Sequence, residues 1–102
     1  MFTEKLRSLL KFGPNSTRYK DIFDMCYLSG CVDIPKLTEC LNELIFSDHG
    51  MRENSMEDVR KRVNRTFKSE SYVQNLNMSR HNWLGIEVPE ALSLLASFLE
   101  KL

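Results

Sequence analysis

Apolar residues recur every three to four positions along this chain, between abrupt stop signals, and that rhythm restricts its regular structure to helices. Tyr19, Ile22, Phe23 and Cys26 repeat at i, i+3, i+4 and i+7, and Leu37, Cys40, Leu41, Leu44 and Ile45 keep the same spacing through Phe46. Strict alternation with β-branched residues, the mark of a half-buried strand, is missing. Ile86-Glu-Val88 is the one candidate and is too short to build a sheet alone. The fold class is therefore all-α: five to six short antiparallel helices, in a compact bundle or a short stack of helix pairs.

The stop signals set the boundaries. Thr3 is placed to cap a first helix over Glu4 to Phe12, with Leu6, Leu9 and Leu10 on one face. Gly13-Pro14 ends it, because proline cannot continue a helix. Asn15, Ser16 and Thr17 are suited to cap a second helix to about Leu28, closed by Ser29-Gly30. Asp33 followed by Pro35 opens a third, and Ser47-Asp-His-Gly50 is a turn cluster. Ser55-Met-Glu-Asp58 resembles a capping box for a fourth helix with Val59, Val63 and Phe67 inward. Tyr72, Val73 and Leu76 mark a short fifth helix. A linker over 79–88 then leads to a last helix opened by Pro89, with Leu92, Leu95, Leu99 and Leu102 on one face and Leu94 and Phe98 widening it.

At 102 residues, with 42% hydrophobic and 27% charged, the chain reads as one domain over 1–102, large enough for a single modest core and too apolar for disorder. It has no uninterrupted apolar run of signal-peptide or membrane-spanning length, which predicts a cytoplasmic protein without membrane contact. The 3 cysteines, Cys26, Cys31 and Cys40, form no Cys-x-x-Cys pair and are expected as buried free thiols rather than disulfides or metal ligands.

Chemistry is sparse. His49 sits in a turn and His81 beside Arg80, with no arginine spaced upstream as helical nucleases of the Arg-x(4–6)-His kind require. Ser8-Leu-Leu-Lys11 matches an acyl-transfer string but lacks its companions, and the isolated glycines make no phosphate loop. The expectation is a protein that is not an enzyme and has no catalytic, cofactor-binding or metal-binding residues.

Charge is more informative. The 14 basic and 14 acidic residues cancel to +0, yet they lie in blocks of about +3 (1–18), −4 (19–50), +3 (51–68) and −2 (69–102). The acidic block supplies candidate contacts to a basic protein partner: Asp21, Asp24, Asp33, Glu39, Glu43 and Asp48. The second basic block offers an alternative, in which Arg60, Lys61, Arg62, Arg65 and Lys68 spread over the outer face of the fourth helix and contact nucleic-acid phosphates. Trp83, if exposed, is a natural interface centre.

In size, helical make-up, the acidic stretch from Asp21 to Asp48 and the closing Ile86-Glu-Val-Pro-Glu-Ala-Leu helix, the chain resembles the small helical immunity proteins of bacterial toxin systems, including those of contact-dependent growth inhibition. The resemblance implies a non-enzymatic inhibitor that covers the active site of a cognate toxin, such as a nuclease, through a basic surface on that toxin. The alternative is a small nucleic-acid-binding regulator acting through the basic helix 59–68.

Overall fold

The computed structural model describes residues 2–102. Six α-helices follow in order: α1 (Phe2–Phe12), α2 (Lys20–Ser29), α3 (Ile34–Leu41), α4 (Met56–Phe67), α5 (Glu70–Met78) and α6 (Val88–Glu100). A 3-10 turn, Gly13–Asn15, follows α1, and α3 runs on into a π-helical stretch, Asn42–Phe46, in which the Ser47 amide donates to the Asn42 carbonyl at 2.9 Å. There is no strand among the described residues, so the all-α reading holds. No helix among them is long and apolar enough to cross a membrane.

The stop signals act much as the sequence implies, with two exceptions at helix starts. α1 already begins at Phe2, and Thr3 lies inside it with its side chain buried in the core rather than capping an end. α2 begins only at Lys20: the Ser16 hydroxyl accepts from the Arg18 amide at 3.4 Å, ordering the turn before the helix instead of its first turn. Gly13 sits at φ +55°, a backbone conformation that side-chain-bearing residues rarely adopt, which is why the break after α1 falls on glycine.

The helices share one core. Phe2, Leu6, Leu9 and Leu10 from α1 meet Ile22, Phe23, Met25 and Cys26 from α2, and α3 with its π continuation adds Leu37, Leu41 and Ile45. Val59 and Val63 of α4, Tyr72 and Leu76 of α5, and Val88, Ala91, Leu95 and Leu99 of α6 complete it. α1 packs on α2, α3 and α4, while α6 packs on α2, α4 and α5. Such pairings between helices distant in sequence separate this closed core from a stack of pairs, where each pair touches only its neighbours.

The buried faces correct three details of the sequence reading. Thr66 is buried where Phe67 was expected to lead, and Phe67 is only partly covered. On α6 the small Ala91 lies at the contact while Leu94 is exposed. Cys26 alone among the cysteines is buried; Cys31 is exposed and Cys40 half-buried, and all three are free.

Candidate functional site

α4 carries the largest concentration of cations. Its start is fixed locally: the Ser55 hydroxyl accepts from the Asp58 amide at 3.4 Å, and the Asp58 carboxylate reaches back to accept from the Asn54 amide at 3.1 Å. Glu57 and Asp58 also place negative charge in the first turn, where the helix dipole favours it. With Val59, Val63 and Thr66 turned inward, Lys61, Asn64, Arg65 and Lys68 face solvent.

Arg60 and Arg62 depart from the expectation that five cations share one outer face. Arg60 donates to the Leu99 carbonyl at 3.5 Å, and Arg62 Nε donates to the Leu10 carbonyl at 3.3 Å. Leu99 and Leu10 lie in the last turns of α6 and α1, where carbonyls lack partners within their own helix. Flanking arginines on α4 thus cap the negative ends of two neighbouring helices, a geometric role that linear spacing does not reveal.

Three adjoining depressions run along this side of the molecule. The widest, about 540 Å³, is lined by Lys61, Asn64, Arg65, Lys68 and Ser69. A second, about 240 Å³, joins Arg52, Glu53, Asp58, Lys61, Arg62 and Arg65, and a third, about 220 Å³, brings Lys11 and Gly50 beside Arg52, Glu53 and Arg62. Lys11 and Arg52 were missed as site residues. They belong to other segments, and only the packing of α1 and the loop 47–55 against α4 brings them alongside it. Lys61 pairs with Glu57 at 3.3 Å, an exposed contact of little weight, whereas no ion pair engages Arg52, Arg65 or Lys68 among the described residues.

The acidic block is dispersed by folding. Lys5 of α1 lies 3.2 Å from Asp21 and 3.2 Å from Asp24; Arg18 adds a contact of 2.7 Å to Asp21 and Lys20 one of 3.7 Å to Asp24. The Trp83 indole donates to Asp24 at 2.8 Å while its half-exposed ring leans on Tyr27, centroids 5.6 Å apart. Burial opposes the Asp24 charge, but these hydrogen bonds and the ammonium groups outweigh it and hold the carboxyl below the usual range. Burial likewise opposes the Lys5 charge, yet its two aspartate partners raise its pKa. Asp48 accepts from the Gly50 amide at 2.7 Å and pairs with Arg7; these contacts hold it below the usual carboxylate range too. Asp33, Glu39 and Glu43 remain exposed and unpaired among the described residues.

His49 and His81 are both exposed, and His81 borders a shallow depression with Lys5, Arg18 and Asp24. Among the described residues no three His, Cys, Asp or Glu side chains converge as a metal site. The Cys26 thiol is pushed up to about 11 by burial and donates to the Ala91 carbonyl at 3.5 Å, the environment of an inert core thiol.

Comparison with known proteins identifies what such a chain is part of. Residues 1–84 match the model of a family described as nucleotidyl transferase AbiEii toxin, of a type IV toxin–antitoxin system. Neither the curated proteins nor the solved structures contain a match. The matched stretch takes in α1 through α5 and ends in the linker before α6. It overturns the resemblance to immunity proteins of contact-dependent growth inhibition: the family is one of toxins, not of inhibitors that neutralise them. The expectation of a non-enzymatic inhibitor or regulator gives way with it, since the family is named for nucleotidyl transfer. The acidic stretch that carried the resemblance is, in three dimensions, half consumed by α1 and its own helix. A toxin of such a system is accompanied by an antitoxin, so the expectation of a partner stands at that level. With more than four-fifths of its length covered by that model, the chain belongs to the family of nucleotidyl transferase AbiEii toxins.

Proposed function

We propose that this chain serves a cytoplasmic nucleotidyl transferase toxin, and that its contribution is to hold substrate phosphates on the outer face of α4. The observation that carries this reading is the group of solvent-facing cations Lys61, Arg65 and Lys68, joined by Arg52 from the preceding loop, around adjoining depressions. Nucleotidyl transfer joins a nucleoside triphosphate to an acceptor, and both the donor and a nucleic-acid acceptor are polyanions. Contacts of this kind bind through charge and release counterions, so affinity falls steeply with salt. The transfer step itself is not assigned to these residues, since no convergent set of carboxylates or histidines stands among them. In this reading residues 1–102 act as one domain, and the unpaired acids Asp33, Glu39 and Glu43 are the part of the acidic block left open to a basic protein surface.

Induced production of the protein in bacterial cells tests the reading. Growth arrest is expected, together with salt-sensitive binding of a single-stranded oligonucleotide by the purified chain. Reversing charge at Arg65 and Lys68 together should relieve the arrest and weaken oligonucleotide binding at least about tenfold at low salt. Normal growth of the producing cells, with no oligonucleotide binding, rules the reading out.

A further inference from the structure

A groove at one end of α1 and an exposed ring at the other are complementary in shape and charge. The groove, about 150 Å³, opens between α3 and the first residues of α1. Phe2, Val32, Leu37 and Cys40 make its walls almost wholly apolar, and Asp33 and Lys36 complete the α3 side. Ile34, 46% exposed, lies beside Asp33 in the first turn of that helix. Glu39 follows Lys36 by three positions and Glu43 by seven, so both continue its stripe along α3 and the π-helical stretch. Three exposed acids thus stand around the groove against one lysine, and no ion pair engages any of the four among the described residues.

The opposite arrangement is found where α1 ends. Phe12 is 52% exposed, and the Lys11 ammonium lies 5.9 Å from its ring centroid. Lys11 shares a depression with Arg52 and Arg62, in which Glu53 is the one acid. The Arg62 guanidinium also lies beside the backbone of Gly13, the residue after Phe12. An apolar knob is therefore set among three cations and one acid, the reverse of the balance around the groove.

We infer that the chain associates head to tail with a second copy of itself, the Phe12 ring of one molecule seated in the α1–α3 groove of the next. An apolar cavity of roughly 150 Å³ accepts a benzene-sized ring, so the groove holds one phenyl side chain. Lys11 and Arg52 then face Asp33, Glu39 and Glu43, and fields of opposite sign steer the encounter and fix its register. A neutral apolar ligand would fill the groove but leave those acids unanswered. Thr3, in the groove lining, and Phe12 are nine residues apart on α1, about two and a half helical turns and roughly 14 Å. Groove and knob therefore lie on different sides of the helix, and a molecule does not fill its own groove. A contact between unlike surfaces leaves one of each free at the ends of a pair, so association continues past the dimer unless the rotation closes a ring.

The inference rests on one part of the reading above, the acids left open to a basic protein surface, and identifies that surface as the chain's own. Sedimentation velocity of the purified protein over a concentration series tests it. At low salt the average mass is expected to rise beyond that of a dimer, with a dissociation constant on the order of 100 μM for so small a contact. High salt should weaken the association by screening the exposed charges. Phe12→Ser removes the knob at an exposed position, and Glu39→Lys with Glu43→Lys reverses charge beside the groove, also at exposed positions. Each variant alone should associate at least about tenfold more weakly. Mixed together they should form a 1:1 dimer and nothing larger, because one keeps the groove and the other keeps Phe12. A native protein that stays monomeric up to about 1 mM overturns the inference. So does association that Phe12→Ser leaves unchanged, or a mixture that associates no better than its components. Growth arrest and oligonucleotide binding that persist in any of those cases leave the phosphate-holding face of α4 standing, so the two failures are distinct.

Discussion

Arg62 and Thr66 lie one turn apart on α4 and show how differently two polar side chains near a core behave. Arg62 reaches the Leu10 carbonyl at the end of α1, beside the Gly13 backbone, and its positive charge complements the negative end of that helix. Arg62→Gln is expected to lower stability by about 1 kcal/mol, which for a chain of this size is a fall of roughly 4–8 °C in thermal midpoint. Thr66 is buried with its hydroxyl unpartnered. Thr66→Val removes that unsatisfied group at nearly constant shape and should raise the midpoint by a few degrees, on the order of 1 kcal/mol. At the centre of the core Phe23 is 0% exposed, and Phe23→Ala should cost about 3–5 kcal/mol, read as a lower urea midpoint. That is a large share of the roughly 5–15 kcal/mol that holds a protein of this class together.

Among the elements, α6 has a structural weight that the family match does not reflect. It lies beyond residue 84, yet Val88, Ala91, Leu95 and Leu99 are buried against α2, α4 and α5. Ala91 lets α6 approach closely enough for the Cys26 thiol to reach its carbonyl. Truncation after Leu84 should therefore abolish the cooperative thermal transition followed by circular dichroism, although the matched stretch is intact; a preserved sharp transition would show that α6 is dispensable. α4 is the hinge between structure and proposed function. Its inner face holds α6 and α5, its flanking arginines cap α6 and α1, and only the remaining strip of Lys61, Arg65 and Lys68 is left for a ligand. The helices themselves were legible because apolar spacing and stop signals act over a few residues. The extent of Thr3 and the exposure of Leu94 were not, because both depend on which neighbour covers them.

Over the whole molecule, charge blocks separated in sequence are brought into contact. Lys5 and Arg7 of α1 meet Asp21, Asp24 and Asp48 of the following block, tying α1 to α2 and to the turn after the π-helical stretch. This sets an expected pH dependence. Asp24 and Asp48 ionise more readily folded than unfolded, so their contribution is present above the ordinary carboxylate pKa near 4 and is lost as pH falls below it. Lys5 holds its proton more firmly folded, so its contribution is complete below the ordinary lysine pKa of 10.5 and fades as pH rises past it. Thermal midpoints measured across pH should fall at both limits. Burial also raises the pKa of the Cys26 thiol and the Tyr72 hydroxyl, and both add to the alkaline fall. Lys5→Met should therefore remove only part of that fall while making the acid one shallower. An unchanged alkaline limb in that variant would place the loss elsewhere. The sequence by itself determined the helical class, most helix boundaries and the presence of a basic helix, because these follow from local backbone chemistry and from periods of three to four residues. Only the tertiary structure decided which charges are spent on one another, which arginines turn inward to cap other helices, and that Lys11, Arg52 and Glu53 join α4 in one surface. Those outcomes depend on contacts between segments far apart in the chain, which no local pattern encodes.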